Sequence, residues 1–284
     1  METRIASATQ AVVIAPDQPT RIIGERINPT GRKKFAAAIL EGNLDVVRAE
    51  ALAQVAAGAA ILDVNVGAAG ADEVTLLPQA VRIITEATDV PLCFDSPNPK
   101  ALDAALKAYT GKALINSVNG EEKSLSAVLP LVAEYGAAVI GLCMDDDGIP
   151  PTAEGRLAVA RKIIDRAGAL GIPPEDVLID CLAMTVGADS QAATVTLDAI
   201  RLARRELGVN MTLGVSNISF GLPDRHLVNS VFLPMAILAG VNAPIVNPMR
   251  DAGIVAAADL LMGRDEYAMA YITYCRAQQA AAAG

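Results

Sequence analysis

The chain has 284 residues, 52% hydrophobic, 19% charged and 3% aromatic with no tryptophan, so a large core of Ala, Val, Leu and Ile can be buried and disorder of the bulk is excluded. Lys and Arg number 23 against 32 Asp and Glu, a net charge of −9 that repels phosphate backbones and anionic lipid, so no nucleic acid and no membrane is expected as a partner. The most apolar stretch, 231–246, is broken by Pro234, Gly240, Asn242 and Pro244 and falls short of the roughly 20 residues that cross a bilayer.

Residues 1–20 read as a lead-in, and 21–284 as a single domain. The start carries no basic-then-apolar leader, and Cys93, Cys143, Cys181 and Cys275 show no paired framework, which predicts a cytoplasmic location. From residue 21 one theme repeats: a short β-rich apolar run, a polar turn, then an alanine-rich amphipathic segment. The predicted strands are 21–23, 61–66, 91–94, 113–117, 138–142, 177–180, 211–215 and 243–246. Predicted helices span 44–57, 76–87, 99–109, 125–135, 154–169, 192–207, 227–239 and 254–262, with a last one at 266–278. Gly58, Gly111, Gly136 and Gly208 follow helical runs, and Asn43 and Thr152 stand where a helix needs a cap. Eight βα units in this length predict an α/β fold closed as a (β/α)8 barrel; a doubly wound sheet would more often open on a Gly-rich loop, and no G-x-G-x-x-G occurs.

In such a barrel the chemistry sits where strands end. There the sequence places Gly24-Glu25-Arg26-Ile27-Asn28, Asp63-Val64-Asn65, Phe94-Asp95-Ser96, Ile115-Asn116-Ser117, Ile179-Asp180 and Val215-Ser216-Asn217-Ile218-Ser219. Side chains alternate along a strand, so Asp63 and Asn65 point into the barrel while Leu62, Val64 and Val66 face the helices. Buried acids and amides from several strands must satisfy one another or a polar ligand. Asp63 and Asn65 fit either role, and Glu25 and Asn28 either shape the first loop or touch the ligand. With the single His226, a multi-histidine metal site and a Ser-His-Asp relay are strongly disfavoured. A carboxylate accepts two N–H bonds from an amino-pyrimidinone edge and an asparagine meets the adjoining ring atoms, which suits a pterin.

The string 23–35, Ile-Gly-Glu-Arg-Ile-Asn-Pro-Thr-Gly-Arg-Lys-Lys-Phe, followed by Ile61-Leu62-Asp63-Val64-Asn65-Val66-Gly67, closely resembles the folate domain of cobalamin-dependent methionine synthase. With the later strand-end motifs it also resembles the methyltetrahydrofolate:corrinoid protein methyltransferases, from about residue 21 to beyond 250. The resemblance implies a barrel of the dihydropteroate synthase-like, pterin-binding type. It makes Asp95, Asn116 and Asp180 pterin-ring contacts, Asn217 the partner of the N5 region, and Arg225 a residue near the folate. Glu25, Asp63, Asn65 and Ser219 complete the expected substrate-binding set, and Asn217, Asp180 and Asp95 the catalytic one, with no metal. Tetrahydrofolate or 5-methyltetrahydrofolate is the implied substrate, and a separate protein carrying a corrinoid (cobalamin) the implied partner, because the chain holds no cobalamin domain. A homodimer is implied as well, as is service in carbon fixation or in O-demethylation, where folate donates or accepts the methyl. Phe220 departs from the family's corrinoid/iron–sulfur branch, which has glutamine there.

Other residues read as structural. Cys93, Cys143 and Cys181 read as core thiols rather than zinc ligands, Asp145-Asp146-Asp147 as a solvated loop, His226 as a structural residue, and Tyr267, Tyr271 and Tyr274 as packing against a helix or a subunit. Two rival functions stay open: a dihydropteroate synthase-type enzyme, for which Val246-Asn247-Pro248-Met249-Arg250-Asp251 lacks an Arg-x-His, and a non-catalytic folate-binding protein.

Overall fold

Strands apolar at nearly every position need cover on both faces, which parallel sheets under helices supply. The computed structural model describes residues 1–283 and begins with an antiparallel hairpin of β1 (Thr3–Ala6) and β2 (Ala11–Ile14). Eight parallel strands follow: β3 (Ile23–Ile27), β4 (Ile61–Val64), β5 (Leu92–Asp95), β6 (Leu114–Asn119), β7 (Ala138–Leu142), β8 (Val177–Asp180), β9 (Met211–Gly214) and β10 (Ala243–Val246). They close as a barrel in chain order, β10 pairing back onto β3. The helices around it are α1 (Lys33–Leu40), α2 (Asp45–Ala56), α3 (Glu73–Ala87), α4 (Pro99–Ala108), α5 (Glu122–Tyr135), α6 (Ala153–Gly168), α7 (Ala192–Leu207), α8 (Arg225–Ala239), α9 (Pro248–Leu261) and α10 (Met269–Ala283). The predicted (β/α)8 fold is the one observed.

Two apolar layers follow from the strand alternation. Leu62, Val64 and Val66 pack outward among the helices, while Ile23, Ile61, Cys93, Leu114, Ala138, Ile140, Leu178 and Ala243 fill the barrel interior. The interior cluster also takes in Ile5, Val12 and Ile14, so the hairpin plugs the end where the strands begin. Ile5 and Ile14 are fully buried, each contributing about 1.5–3 kcal/mol. Ala6 N–H donates to Lys112 O at 2.9 Å, and the Tyr109 hydroxyl donates to Ala6 O at 3.0 Å. Thr152 caps α6 by accepting from Gly155 N–H at 3.1 Å, and Asn43 accepts from Asp45 N–H at 3.2 Å ahead of α2.

The helix expected at 254–262 begins at Pro248, and three further elements differ from the sequence expectation. The lead-in is the hairpin just described. The first barrel strand is Ile23–Ile27 rather than 21–23, so Glu25 belongs to the strand; Gly24 and Glu25 are poor strand formers, and pairing on both sides outweighs their preference. α1 was not predicted, although Phe35 and Ile39, four apart, are its buried face.

Candidate active site

Polar side chains gather where the barrel strands end. Asp63 is 3% exposed, and its Oδ1 accepts from Asn116 Nδ2 at 3.1 Å. Beside it Asn65 Nδ2 donates to Asp95 Oδ2 at 2.9 Å, while Asn65 Oδ1 accepts from Gly67 N–H at 2.7 Å. Burial pushes Asp63 and Asp95 up, and their mutual repulsion adds to the rise at Asp63. The Asn116 and Asn65 amides oppose the shift by binding the ionised forms. Asp63 and Asn65 are therefore bonded to two of the expected pterin contacts, Asn116 and Asp95.

A cleft of about 370 Å³ opens over this arc, within the usual range of about 300–1,000 Å³ for ligand sites. Of the expected substrate-binding residues Asp95 and Asn116 line it, with Ser96, Ser117, Asn119 and Lys123, whereas Glu25, Asp63, Asn65, Asp180, Asn217, Ser219 and Arg225 do not. Ser96 Oγ donates to Glu73 Oε2 at 2.6 Å, bringing the start of α3 to the rim.

Asp180 stands across the mouth on β8, 4% exposed. Its Oδ1 accepts from Leu182 N–H at 2.6 Å and its Oδ2 from Gly214 N–H at 3.2 Å. Burial lifts this carboxyl to about 6, against the pull of those two amides and of Arg156. Each oxygen keeps a lone pair for a further donor, as a 2-amino-pyrimidinone edge requires. Asn217 lies in the turn Val215–Ser219 and is exposed; a Cβ on Gly214 would come within 3.4 Å of its Nδ2.

Glu25 closes the ring between β3 and that turn, accepting from Ser216 Oγ at 3.3 Å. Burial, then the charge of Asp251, raises it. Ser219 is fully buried, donating to Ser216 O at 3.2 Å and accepting from Arg225 Nε at 3.1 Å. Arg225 Nη2 also donates to Ser216 O, at 2.6 Å, and its guanidinium lies 5.7 Å from the centre of the Phe220 ring. Ser219 and Arg225 thus brace the turn that carries Asn217. Sequence reasoning did not single out Glu73 or Arg156, whose positions only tertiary packing reveals.

Among the residues read as structural, Cys93, Cys143 and Cys181 are buried free thiols. Among the described residues no group of three or more His, Cys, Asp and Glu side chains is arranged to hold a metal. His226 Nδ1 lies 4.0 Å from Asp251 Oδ1, Asp145 and Gly148 close a tight turn, and the Tyr274 ring packs against Gly253 of α9.

The sequence profile of a family described as "Pterin binding enzyme" matches residues 24–247. The chain belongs to this pterin-binding enzyme family. It is 32% identical over 260 residues to the methylcorrinoid:tetrahydrofolate methyltransferase of Eubacterium limosum, covering 88% of this chain and 94% of that protein. It is 34% identical over 259 residues to the methionine synthase of Mycobacterium tuberculosis (strain ATCC 25618 / H37Rv), covering 87% of this chain but only 22% of that larger protein. Both relatives bear out the resemblance read from the strand-end motifs. A structure of Yersinia pestis DHPS with a pterine–sulfa conjugate superposes with a TM-score of 0.70 at 16% identity, over 92% of this chain and 99% of that one, which shows the shared fold. Among the described residues no helix is long and apolar enough to cross a membrane.

Proposed function

We propose that this pterin-binding enzyme moves a methyl group between N5 of tetrahydrofolate and the cobalt of a corrinoid carried by a separate protein, as the folate-side component of a demethylase or one-carbon pathway. The observation that carries the reading is the ring of acids and amides from β4, β5, β6 and β8 around one mouth. Such a set matches a neutral ring rich in donors and acceptors, and the name of the E. limosum relative adds the methylcorrinoid.

In this reading Asp180 accepts two N–H bonds from the pterin edge, Asp95 and Asn116 meet the ring from across the mouth, and Asp63 and Asn65 hold them in place. Asn217 turns its amide toward N5. An amine leaves poorly, so when folate donates the methyl, a proton or strong hydrogen bond must develop at N5, an effect worth about 10²–10⁴-fold. Most of the remaining rate comes from holding two reactants in line. The corrinoid supplies the cobalt that takes or gives the methyl. A cytoplasmic location and a homodimer belong to the same proposal; Leu227, Val231 and Leu238, 61%, 58% and 68% exposed along one face of α8, offer an apolar surface for a second copy.

Single-turnover mixing of the protein with 5-methyltetrahydrofolate and cob(I)alamin tests the reaction, with methylcobalamin formation followed spectroscopically. Binding of methyltetrahydrofolate without any methyl transfer would leave a non-catalytic folate protein. Condensation of dihydropterin pyrophosphate with p-aminobenzoate would replace the proposal with the synthase activity.

A further inference from the structure

Arg156 lies on α6, outside the barrel wall, and is only 2% exposed. Buried guanidinium groups usually sit against a carboxylate, yet among the described residues none lies within ion-pair distance of Arg156. Its donors go instead to neutral oxygens. Nε donates to Pro150 O at 3.0 Å, and Nη1 to Cys181 O at 3.0 Å, Leu182 O at 2.8 Å and Thr196 Oγ1 at 3.1 Å.

Cys181 and Leu182 form the turn that leaves β8. Leu182 has φ +62°, a conformation that leucine adopts only when its surroundings hold it there. In that conformation its N–H donates to Asp180 Oδ1 at 2.6 Å. Thr196 Oγ1, on α7, lies 3.1 Å from the same Leu182 carbonyl, so two helices grip the turn from behind.

We infer that Arg156 is a positioning residue for the pterin site: it holds the turn whose amide binds Asp180, and its charge faces the ionised carboxylate through that turn. The inference rests on the reading of Asp180 as a pterin acceptor. Arg156 also opposes the rise that burial imposes on Asp180, and the Cys143 and Cys181 thiols are the other titratable groups at this corner.

The test follows the Asp180 carboxyl by carbon NMR in ligand-free protein between about pH 4 and about pH 9, in the parent, Arg156→Met and Arg156→Lys. Methyltetrahydrofolate binding is measured over the same range. The parent carboxyl titrates near pH 6. Arg156→Met raises that midpoint, and the pH of half-maximal binding follows it, while Arg156→Lys, which keeps the charge, stays nearer the parent. Identical midpoints in all three proteins would overturn the inference.

Should Arg156→Met fail to fold, Arg156→Lys decides alone. One ammonium cannot span the four oxygens that Arg156 bridges, so Leu182 amide exchange accelerates about tenfold and KM for methyltetrahydrofolate rises while kcat holds. Parent-like values of both overturn the inference. A midpoint that follows Arg156 in a parent whose folate binding ignores pH would uphold the action of Arg156 on Asp180 and remove the pterin contact instead.

Discussion

Asn116 donates from Nδ2 to Asp63 Oδ1 across 3.1 Å, although their strands, β6 and β4, are not neighbours and β5 runs between them. Inward side chains of alternate strands share a layer in a (β/α)8 barrel, and this bond is made within one such layer. Its removal separates two descriptions of Asp63. Asn116→Ala leaves Asp63 without that donor and costs about 1–3 kcal/mol in chemical denaturation. Asp63→Asn keeps an acceptor for Asn116 and, like the parent carboxyl that burial pushes up to about 8, is uncharged at neutral pH, so it is at least as stable as the parent there. An Asp63→Asn protein as weakened as Asn116→Ala would show that the ionised carboxylate is what the layer requires.

Asp180 sets a pH dependence whose sign is fixed by burial. Its carboxyl binds a proton more readily in the folded chain, near 6, than at the ordinary value of 3.8. Its contribution to stability is therefore full below about pH 4 and is lost as the pH rises to about 6, a change of about 3 kcal/mol. Urea denaturation of the parent and of Asp180→Asn through this window should diverge by that amount; parallel curves would refute the shift. Methyltetrahydrofolate affinity runs the opposite way, weakening below about pH 6 as the acceptor is protonated.

Asn217 is exposed and sits in a turn braced by Ser219 and Arg225, so its side chain has little structural duty. Asn217→Ala should stay within about 0.5 kcal/mol of the parent in stability. It should change methyltetrahydrofolate affinity only a few-fold and slow single-turnover methyl transfer about 10²-fold. A rate within a few-fold of the parent would remove Asn217 from the chemistry.

Gly111 has φ +140°, and a Cβ there would lie 2.1 Å from Ala6 O. Gly111→Ala must therefore push β1 off the barrel and break the bond from Ala6 N–H to Lys112 O. A loss of about 3 kcal/mol is expected, with the amides of β1 and β2 losing hydrogen-exchange protection first. Protection unchanged in the hairpin would mean that its seat is elsewhere.

The barrel was legible because its eight strands are short apolar runs, each followed by an amphipathic segment of helical length, a signal that survives errors of a few residues at each end. The hairpin was written in the same code: Ile5, Val12 and Ile14 are buried while Arg4 and Ala11 are exposed, but four-residue strands beside Ser7-Ala8-Thr9-Gln10 are too brief to stand out alone. Asp95, Asn116, Asp180 and Asn217 stood out because each closes an apolar run at a different strand end, and the family resemblance gave them their expected roles. Arg156 could not. On α6 it looks like one more charge on an amphipathic helix, beside Arg161 and Arg166, and only its approach to the β8 turn sets it apart.

Because β1 and β2 cork the barrel with Ile5, Val12 and Ile14, the end where the strands begin is shut to a ligand. Whatever binds at the strand ends therefore arrives and leaves on the opposite side. A macromolecule settled on that side would hold the smaller guest captive until it lifted away. Arrival and departure would then run in strict sequence, imposed by architecture rather than by the chemistry of any one side chain.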